Sequence, residues 1–277
     1  MKVVILCGGM GTRMRDHHEL SPKPLIPIGS RPIVWHIMKY YAHFGHKDFI
    51  LCLGNRREAF VDYFLHYHYH NSDLTIDLGR PDNVRLHNRE SPTEDWRVTL
   101  ADTGLHTNTG GRLKRVAPYI DGSHFMLTYG DGLGCVDLDA LLDFHRRAGK
   151  MATVSAVHPT GRFGEIAVNA DQVISFAEKP QTTAGYINGG FLVFEKEFIH
   201  RYVPNDPGCY LESDALSHCA RDGQLAAYCH EGFWQCMDTP REHQILEDLW
   251  RRGDAPWQVW ADGPAVPKRS RALSWTS

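Results

Sequence analysis

Residues Val3 to Cys7, VVILC, form an unbroken apolar run that ends at glycine. That pattern predicts a short strand covered on both faces. From Pro32 the period changes: Ile33, Val34, Ile37, Met38 and Tyr41 fall on one helical face, with Pro32 as first residue and Gly45 as the stop. DFILCLG reads as a second buried strand and EAFVDYFLHYH as a second helix, whereas Asn71 to Asp95 is polar and turn-rich and resists assignment. WRVTLAD alternates like a strand, TGGRLKRVAPYI reads as a short helix, and HFMLTYGDG is a third apolar run ending in a glycine-rich tip. DLDALLDFHRRAGK is amphipathic, with Asp137 as N-cap and Gly149 beyond its end. MATVSAV, GEIAV, QVISF and INGGFLVFE are further strands, several close enough in sequence to pair antiparallel. The last helix, DTPREHQILEDLWRRG, has Asp238 or Thr239 as cap, Pro240 as first residue and Gly253 as terminator.

Strands alternating with helices imply an α/β, Rossmann-like three-layer sandwich. Its sheet should be mixed but mostly parallel, with a smaller antiparallel portion from the later strands. Residues 1–260 read as one such domain. Residues 261–277, polar, partly basic and carrying two prolines, read as a disordered tail.

Composition narrows this picture little. A formal net charge of −3 over 277 residues argues against a nucleic-acid or membrane surface as partner. No apolar stretch approaches the roughly 18 residues that a membrane span needs. The start does not read as a signal peptide. The seven cysteines are odd in number and contain no C-x-x-C pair, which fits reduced, mostly buried thiols in a cytoplasmic protein.

The first candidate chemistry lies in the loop after the first strand, where open parallel sheets bind ligands. Leu6, Cys7, Gly8, Gly9, Met10, Gly11, Thr12 and Arg13 give G-G-x-G-T-R, followed by P-K-P around Lys23. The dinucleotide fingerprint fails, because Met14 stands at its third glycine, and the P-loop fails for want of Lys-Ser or Lys-Thr. Glycines still let backbone N–H groups approach anionic oxygens, Arg13 adds a forked donor, and Lys23 adds a point charge on a proline-stiffened segment. These groups suit a triphosphate; a tight turn with two solvated cations is the plainer alternative. Asp131, at the tip of TYGDG, and Asp238, before the last helix, can together hold one Mg²⁺, or serve simply as a turn residue and an N-cap. Asn188, Gly189 and Gly190 suit contacts to a hydroxyl-rich sugar, or equally a strand bulge. His66, His68 and His70 alternate, but on a helix that spacing turns them to different faces, so no zinc site is expected there.

LCGGMGTR with PKP resembles the signature of sugar-phosphate nucleotidyltransferases, and the likeness is greatest to the branch that transfers cytidylyl groups to glucose 1-phosphate. RPIVWHIMKYY, DFILCLG, WRVTLADTG, TGGRLKRV, LTYGDG, GRFGE, EKP, INGGF, GFWQCMDT and LEDLW follow in the family's order, nearly from Met1 to Trp260. The resemblance implies that Asp131 and Asp238 bind the metal. It implies that Lys179, beside Glu178 in EKP, meets the sugar phosphate. It also sets Thr107, Arg112 and Gly130 near the nucleotide, and suggests a homo-oligomer, a hexamer in relatives. His18, Tyr186 and Pro240 depart from the family pattern, and the departures at His18 and Tyr186 leave room for another acceptor.

The leading reading is therefore Mg²⁺-dependent transfer of CMP from CTP to a sugar 1-phosphate. Arg13 and Lys23 would stabilise the leaving pyrophosphate and Lys179 would align the attacking phosphate. A different acceptor or nucleoside triphosphate is the alternative. A non-catalytic nucleotide-sugar-binding module is the third, and Lys23, Asp131, Lys179 and Asp238 standing together argue against it.

Overall fold

The computed structural model describes residues 1–9, 21–80, 83–87, 94–159, 165–169, 172–177 and 185–260, with the two short strands 165–169 and 172–177 described by backbone alone. Seven strands make the central sheet: β1 (Lys2–Leu6), β2 (Asp48–Leu53), β3 (Arg97–Asp102), β4 (His124–Tyr129), β5 (Ala152–Val157), β6 (Ile187–Glu195) and β7 (Leu225–His230). Their spatial order is β7-β5-β6-β4-β1-β2-β3. Every pairing is parallel except the two made by β6, which runs against both neighbours. The mixed, mostly parallel sheet is thus as expected, but its antiparallel strand is threaded into the middle. The hairpin of 165–169 with 172–177 pairs separately.

Why β1 is apolar from Val3 to Leu6 follows from its place. Val3 and Ile5 enter one core and Val4 and Leu6 the other, so neither face of the strand is available to polar residues. On the first face pack α1 (Ile33–His43), α4 (Leu138–Ala148) and α5 (Pro240–Arg252); on the second packs α3 (Thr109–Val116), together with Phe198, Ile199 and Leu211. Burying each such side chain stabilises the fold by about 1.5–3 kcal/mol. A charge at Val4, fully buried on the central strand, would be strongly destabilising.

The caps follow the sequence closely. Asp137 accepts from Ala140 N at 3.0 Å, and Gly149 and Gly253 end their helices. Pro32 proves to be the residue before α1 rather than its first. The second predicted helix splits at His66 into α2 (Arg57–Leu65) and the turn Tyr67–His70. Residues 197–230, without an assigned element above, hold the helical segments Glu197–Tyr202, Leu211–Leu216 and Ser217–Arg221 and then the edge strand β7. The expected tail 261–277 lies outside the described residues. Among the described residues no helix is long and apolar enough to cross a membrane.

His36 of α1 is fully buried in a box of tryptophans. Its Nε2–H donates to the Ile28 carbonyl at 2.9 Å, and the Trp257 indole N–H points at Nδ1 from 3.4 Å. An indole can only donate, so Nδ1 carries the lone pair and the ring is neutral. Trp35, Trp250 and Trp260 stand 5.2, 4.7 and 6.2 Å away, centroid to centroid.

Candidate active site at the carboxyl end of the sheet

The loops after β1, β2, β3 and β4 open at one end of the sheet. Because β6 is reversed, its first residues, Ile187 and Asn188, open there too. Gly130 follows β4, and a Cβ on it would stand 2.9 Å from Pro24 and 3.1 Å from Cys7 Sγ. Only glycine lets the Lys23–Leu25 turn settle on the strand ends. That turn aims Lys23 at two carboxylates: its Nζ donates to Asp131 Oδ2 at 2.6 Å and also to Asp238 Oδ1.

Two devices bring together those aspartates, which stand 107 positions apart in sequence. A small antiparallel ladder pairs Gly132 with Cys236 and Gly134 with Trp234, and Met237 N donates to the Asp131 carbonyl at 2.8 Å. The capping box of α5 then fixes the second one. Thr239 accepts from Glu242 N, while Glu242 Oε2 accepts from both Thr239 N (2.8 Å) and Asp238 N (2.7 Å). Thr239, of the two candidates, is the cap.

The Lys23 side chain is 13% exposed, those of Asp131 and Asp238 32% and 30%. The carboxylates therefore face solvent while the ammonium lies beneath them. Burial pulls the lysine's pKa down, but the charge and hydrogen bonds of Asp131 and then Asp238 outweigh it and hold the group above its ordinary value. The ammonium already bridges two carboxylate oxygens, so the donor set fits a hard divalent cation that takes its remaining ligands from phosphate and water.

Arg112 is placed differently from the nucleotide contact that the resemblance implies. It is buried, and its fork donates to Leu53 O (3.0 Å), Thr103 Oγ1 (2.7 Å), Gly8 O (3.0 Å) and Leu105 O (3.3 Å). It ties together the loops after β1, β2 and β3. Gly8 is glycine for this reason, since a Cβ there would meet Arg112 Nη1 at 2.1 Å. Thr107 is buried against Gly104 and Gly111. Leu6 and Cys7 are buried as well, while Gly9 is open to solvent. Burial, with Cys52 and Asp131 nearby, raises the Cys7 thiol well above its usual pKa, so it is a packing residue rather than a nucleophile.

On the other flank, Asn188 Oδ1 accepts from Gly190 N at 2.9 Å and its Nδ2 donates to the Tyr129 hydroxyl at 3.1 Å. Pairing between β5 and β6 shifts register at this point, so INGG does form a bulge. Gly189 O accepts from the Trp234 indole at 2.7 Å. Tyr129 in turn donates to Glu212 Oε1 at 2.6 Å, and Thr109 donates to Glu212 Oε2 at 2.6 Å. Tyr129, Glu212, Trp234 and Glu242 were not singled out from sequence. Only Glu242, three residues after a Thr-Pro helix start, carried a readable signal.

Met10, Gly11, Thr12, Arg13, Glu178 and Lys179 lie outside the described residues. The histidine run needs a correction: a spacing of four, not two, matters. Asp62, His66 and His70 bring ligand atoms within 4.8 Å of one another, and the carboxylate lies one turn upstream of the run. All three are exposed, and His66 Nδ1 already pairs with Asp62 Oδ1 at 2.9 Å.

A family model described as nucleotidyl transferase matches residues 2–262. Over 261 residues, 94% of this chain and all of the other, the chain is 46% identical to the glucose-1-phosphate cytidylyltransferase of Salmonella typhimurium. It is 26% identical over 250 residues to the mannose-1-phosphate guanyltransferase of Emericella nidulans, covering 87% of this chain and 62% of that one. Among solved structures, HddC from Yersinia pseudotuberculosis superposes with a TM-score of 0.62 at 21% identity, covering 90% of this chain and 99% of that one. A UDP-glucose pyrophosphorylase in complex with UDP-glucose superposes with a TM-score of 0.62 at 13% identity, over 91% and 98%. These two likenesses speak for the fold.

Proposed function

The chain belongs to the nucleotidyl transferase family, and on that premise we propose that it transfers CMP from CTP to glucose 1-phosphate, releasing pyrophosphate. The observation that carries this reading is the convergence of Lys23, Asp131 and Asp238 at the carboxyl end of the sheet. The 46% identity to a glucose-1-phosphate cytidylyltransferase supports the choice of base and sugar.

The sugar phosphate oxygen attacks the α-phosphorus of CTP. A new P–O bond forms, the bond to the bridging oxygen breaks, and pyrophosphate departs with the electron pair. Such chemistry asks the protein for alignment and charge neutralisation rather than a covalent partner. Asp131 and Asp238 would hold Mg²⁺, which would offset the negative charge of the bound phosphates. Lys23 supplies a buried ammonium beside them. The β1 loop, braced from below by Arg112, leaves Gly9 open to receive phosphate oxygens. Arg13 and Lys179, by the family resemblance, would add positive charge for the triphosphate and the acceptor phosphate. Asn188, oriented by Tyr129 and by the bulge, faces the sugar side.

Pyrophosphate release with each of the four ribonucleoside triphosphates and glucose 1-phosphate tests this. CTP should be consumed in preference, in a Mg²⁺-dependent way. Release with none of them sinks the proposal, and faster release with another triphosphate sinks the choice of base.

Self-association belongs to the same reading. The hairpin of Leu74–Ile76 with Val84–Leu86 exposes Leu74, Ile76 and, at 88%, Leu78. Apolar side chains so exposed on one projection suit an interface between copies. Light scattering that shows a monomer overturns that inference.

A further inference from the structure

At the other end of β4 three side chains converge for which the proposed reaction has no use. His124 begins β4, Glu195 ends β6 directly across from it in the ladder, and His145 comes down from the last turn of α4. His124 Nε2 lies 2.8 Å and His145 Nε2 3.8 Å from the same oxygen, Glu195 Oε1. The three ligand atoms all fall within 4.8 Å of one another.

His145 is the telling member. Its side chain is 1% exposed, and its Nε2 is buried with no hydrogen-bond partner. Leaving such an atom unpaired is costly, so a buried nitrogen aimed at a carboxylate beyond hydrogen-bond reach calls for a ligand. The outer contacts are already in place. His145 Nδ1 meets Thr153 Oγ1 at 2.8 Å and His124 Nδ1 meets Ser123 Oγ at 2.8 Å. Both Nδ1 atoms thus have hydroxyl partners, and with those hydroxyls accepting, both Nε2 atoms would be free to bind an ion, the orienting role that outer partners play in zinc proteins.

We propose that His124, His145 and Glu195 form a binding site for a borderline divalent transition-metal cation, Zn²⁺ foremost. Ligands about 2.0–2.1 Å from a tetrahedral ion stand about 3.3 Å apart, and the observed separations bracket that value. His124 and Glu195 are each 35% exposed, which leaves the open side for a water as fourth ligand. Two imidazoles and one carboxylate are too nitrogen-rich for Mg²⁺, so the site is chemically distinct from the Asp131–Asp238 pair. The two are also far apart. At about 3.3 Å per residue, the stretch from His124 to Asp131 separates them by roughly 20 Å. An ion here would tie α4 to β4 and β6 and act on stability, leaving turnover alone.

Untagged, chelator-stripped protein titrated calorimetrically with Zn²⁺, in saturating Mg²⁺, should take up one tight-binding equivalent per chain at this site. Co²⁺ in its place should give the strong visible d–d absorption of a four-coordinate ion. His124→Ala and Glu195→Gln should weaken binding by about tenfold or more, since loss of even an outer-shell partner costs about 10–100-fold. At a hundredfold excess over Kd, Zn²⁺ should raise the Tm of the parent protein by about 5 °C or more and that of His124→Ala by far less. His145→Ala removes a buried group and is subject to misfolding, so the half-exposed His124 decides. The double variant His66→Ala/His70→Ala should keep the tight equivalent. The proposal falls if wild type binds no such equivalent, if His124→Ala and Glu195→Gln bind as wild type does, or if the His66/His70 variant is the one that loses it.

Discussion

Arg112 Nη2 donates to the carbonyl of Gly8 across 3.0 Å, joining α3 to the loop that follows β1. A charged side chain near a presumptive phosphate site is here committed to carbonyl and hydroxyl oxygens of the protein itself. Arg112→Lys keeps the charge but loses the fork, stranding carbonyls of Leu53, Gly8 or Leu105. Each buried acceptor left unpaired costs about 1–3 kcal/mol, so thermal melts should show a clear fall in Tm. A variant of unchanged stability with a raised KM for the triphosphate would point instead to direct nucleotide contact.

Lys23 occupies the space between Asp131 and Asp238 that a divalent cation would share. Lys23→Met should therefore bind Mn²⁺ more tightly than wild type when no nucleotide is present, as followed by electron paramagnetic resonance. The same variant should turn over ~10²–10³ more slowly, the usual cost of removing one preorganised electrostatic contact. Weaker Mn²⁺ binding would contradict the geometric argument.

The capping box does two tasks at once. Thr239→Ala should cost about 1 kcal/mol of stability, as cap removals do. Glu242→Ala releases the Asp238 backbone as well as the cap. It should therefore lose far more activity than its change in denaturation midpoint explains. Equal losses from the two variants would show that Asp238 is held by something else.

His36 makes stability depend on pH. Burial lowers it to about 4, from an ordinary value of 6.5. Above pH 6.5 the ring is neutral in both folded and unfolded chains. As pH falls from 6.5 towards 4, the unfolded chain takes up a proton that the folded one refuses, and stability is lost. One pKa unit is worth about 1.4 kcal/mol, so this residue's share is about 3 kcal/mol. Burial lowers His46, His145 and His230 too. Urea denaturation at about pH 7 and about pH 5 should show a steep decline in wild type and a shallower one in His36→Gln; parallel declines would contradict it.

Where one interaction type dominated, the sequence was readable. VVILC had to be a strand buried on both faces, and D-T-P-R-E had to start a helix, because periodicity and capping are local. The direction of β6 was not readable. Its run INGGFLVFE is equally apolar whether it pairs parallel or antiparallel, and its order in the sheet depends on partners far away in the chain. The surroundings of Arg112 were unreadable for a related reason. A basic residue at a glycine-rich helix start gives no sign that carbonyls of three separate loops gather around it. Tyr129 and Glu212 were invisible because their importance lies in meeting each other, 83 positions apart. The edge strand β7, LAAYCH, has a weak pattern because it lies at the margin of the sheet, where, among the described residues, none of its side chains is fully buried.

Asp238 is held by the first turn of the last helix, and the Trp250–Trp257 segment beyond it closes over His36. The second carboxylate therefore reaches the first only once the segment from Trp234 to Trp257 has folded back onto the sheet. We expect a molecule clipped between Asp131 and Asp238 to keep one aspartate without the other, and so to be silent rather than promiscuous.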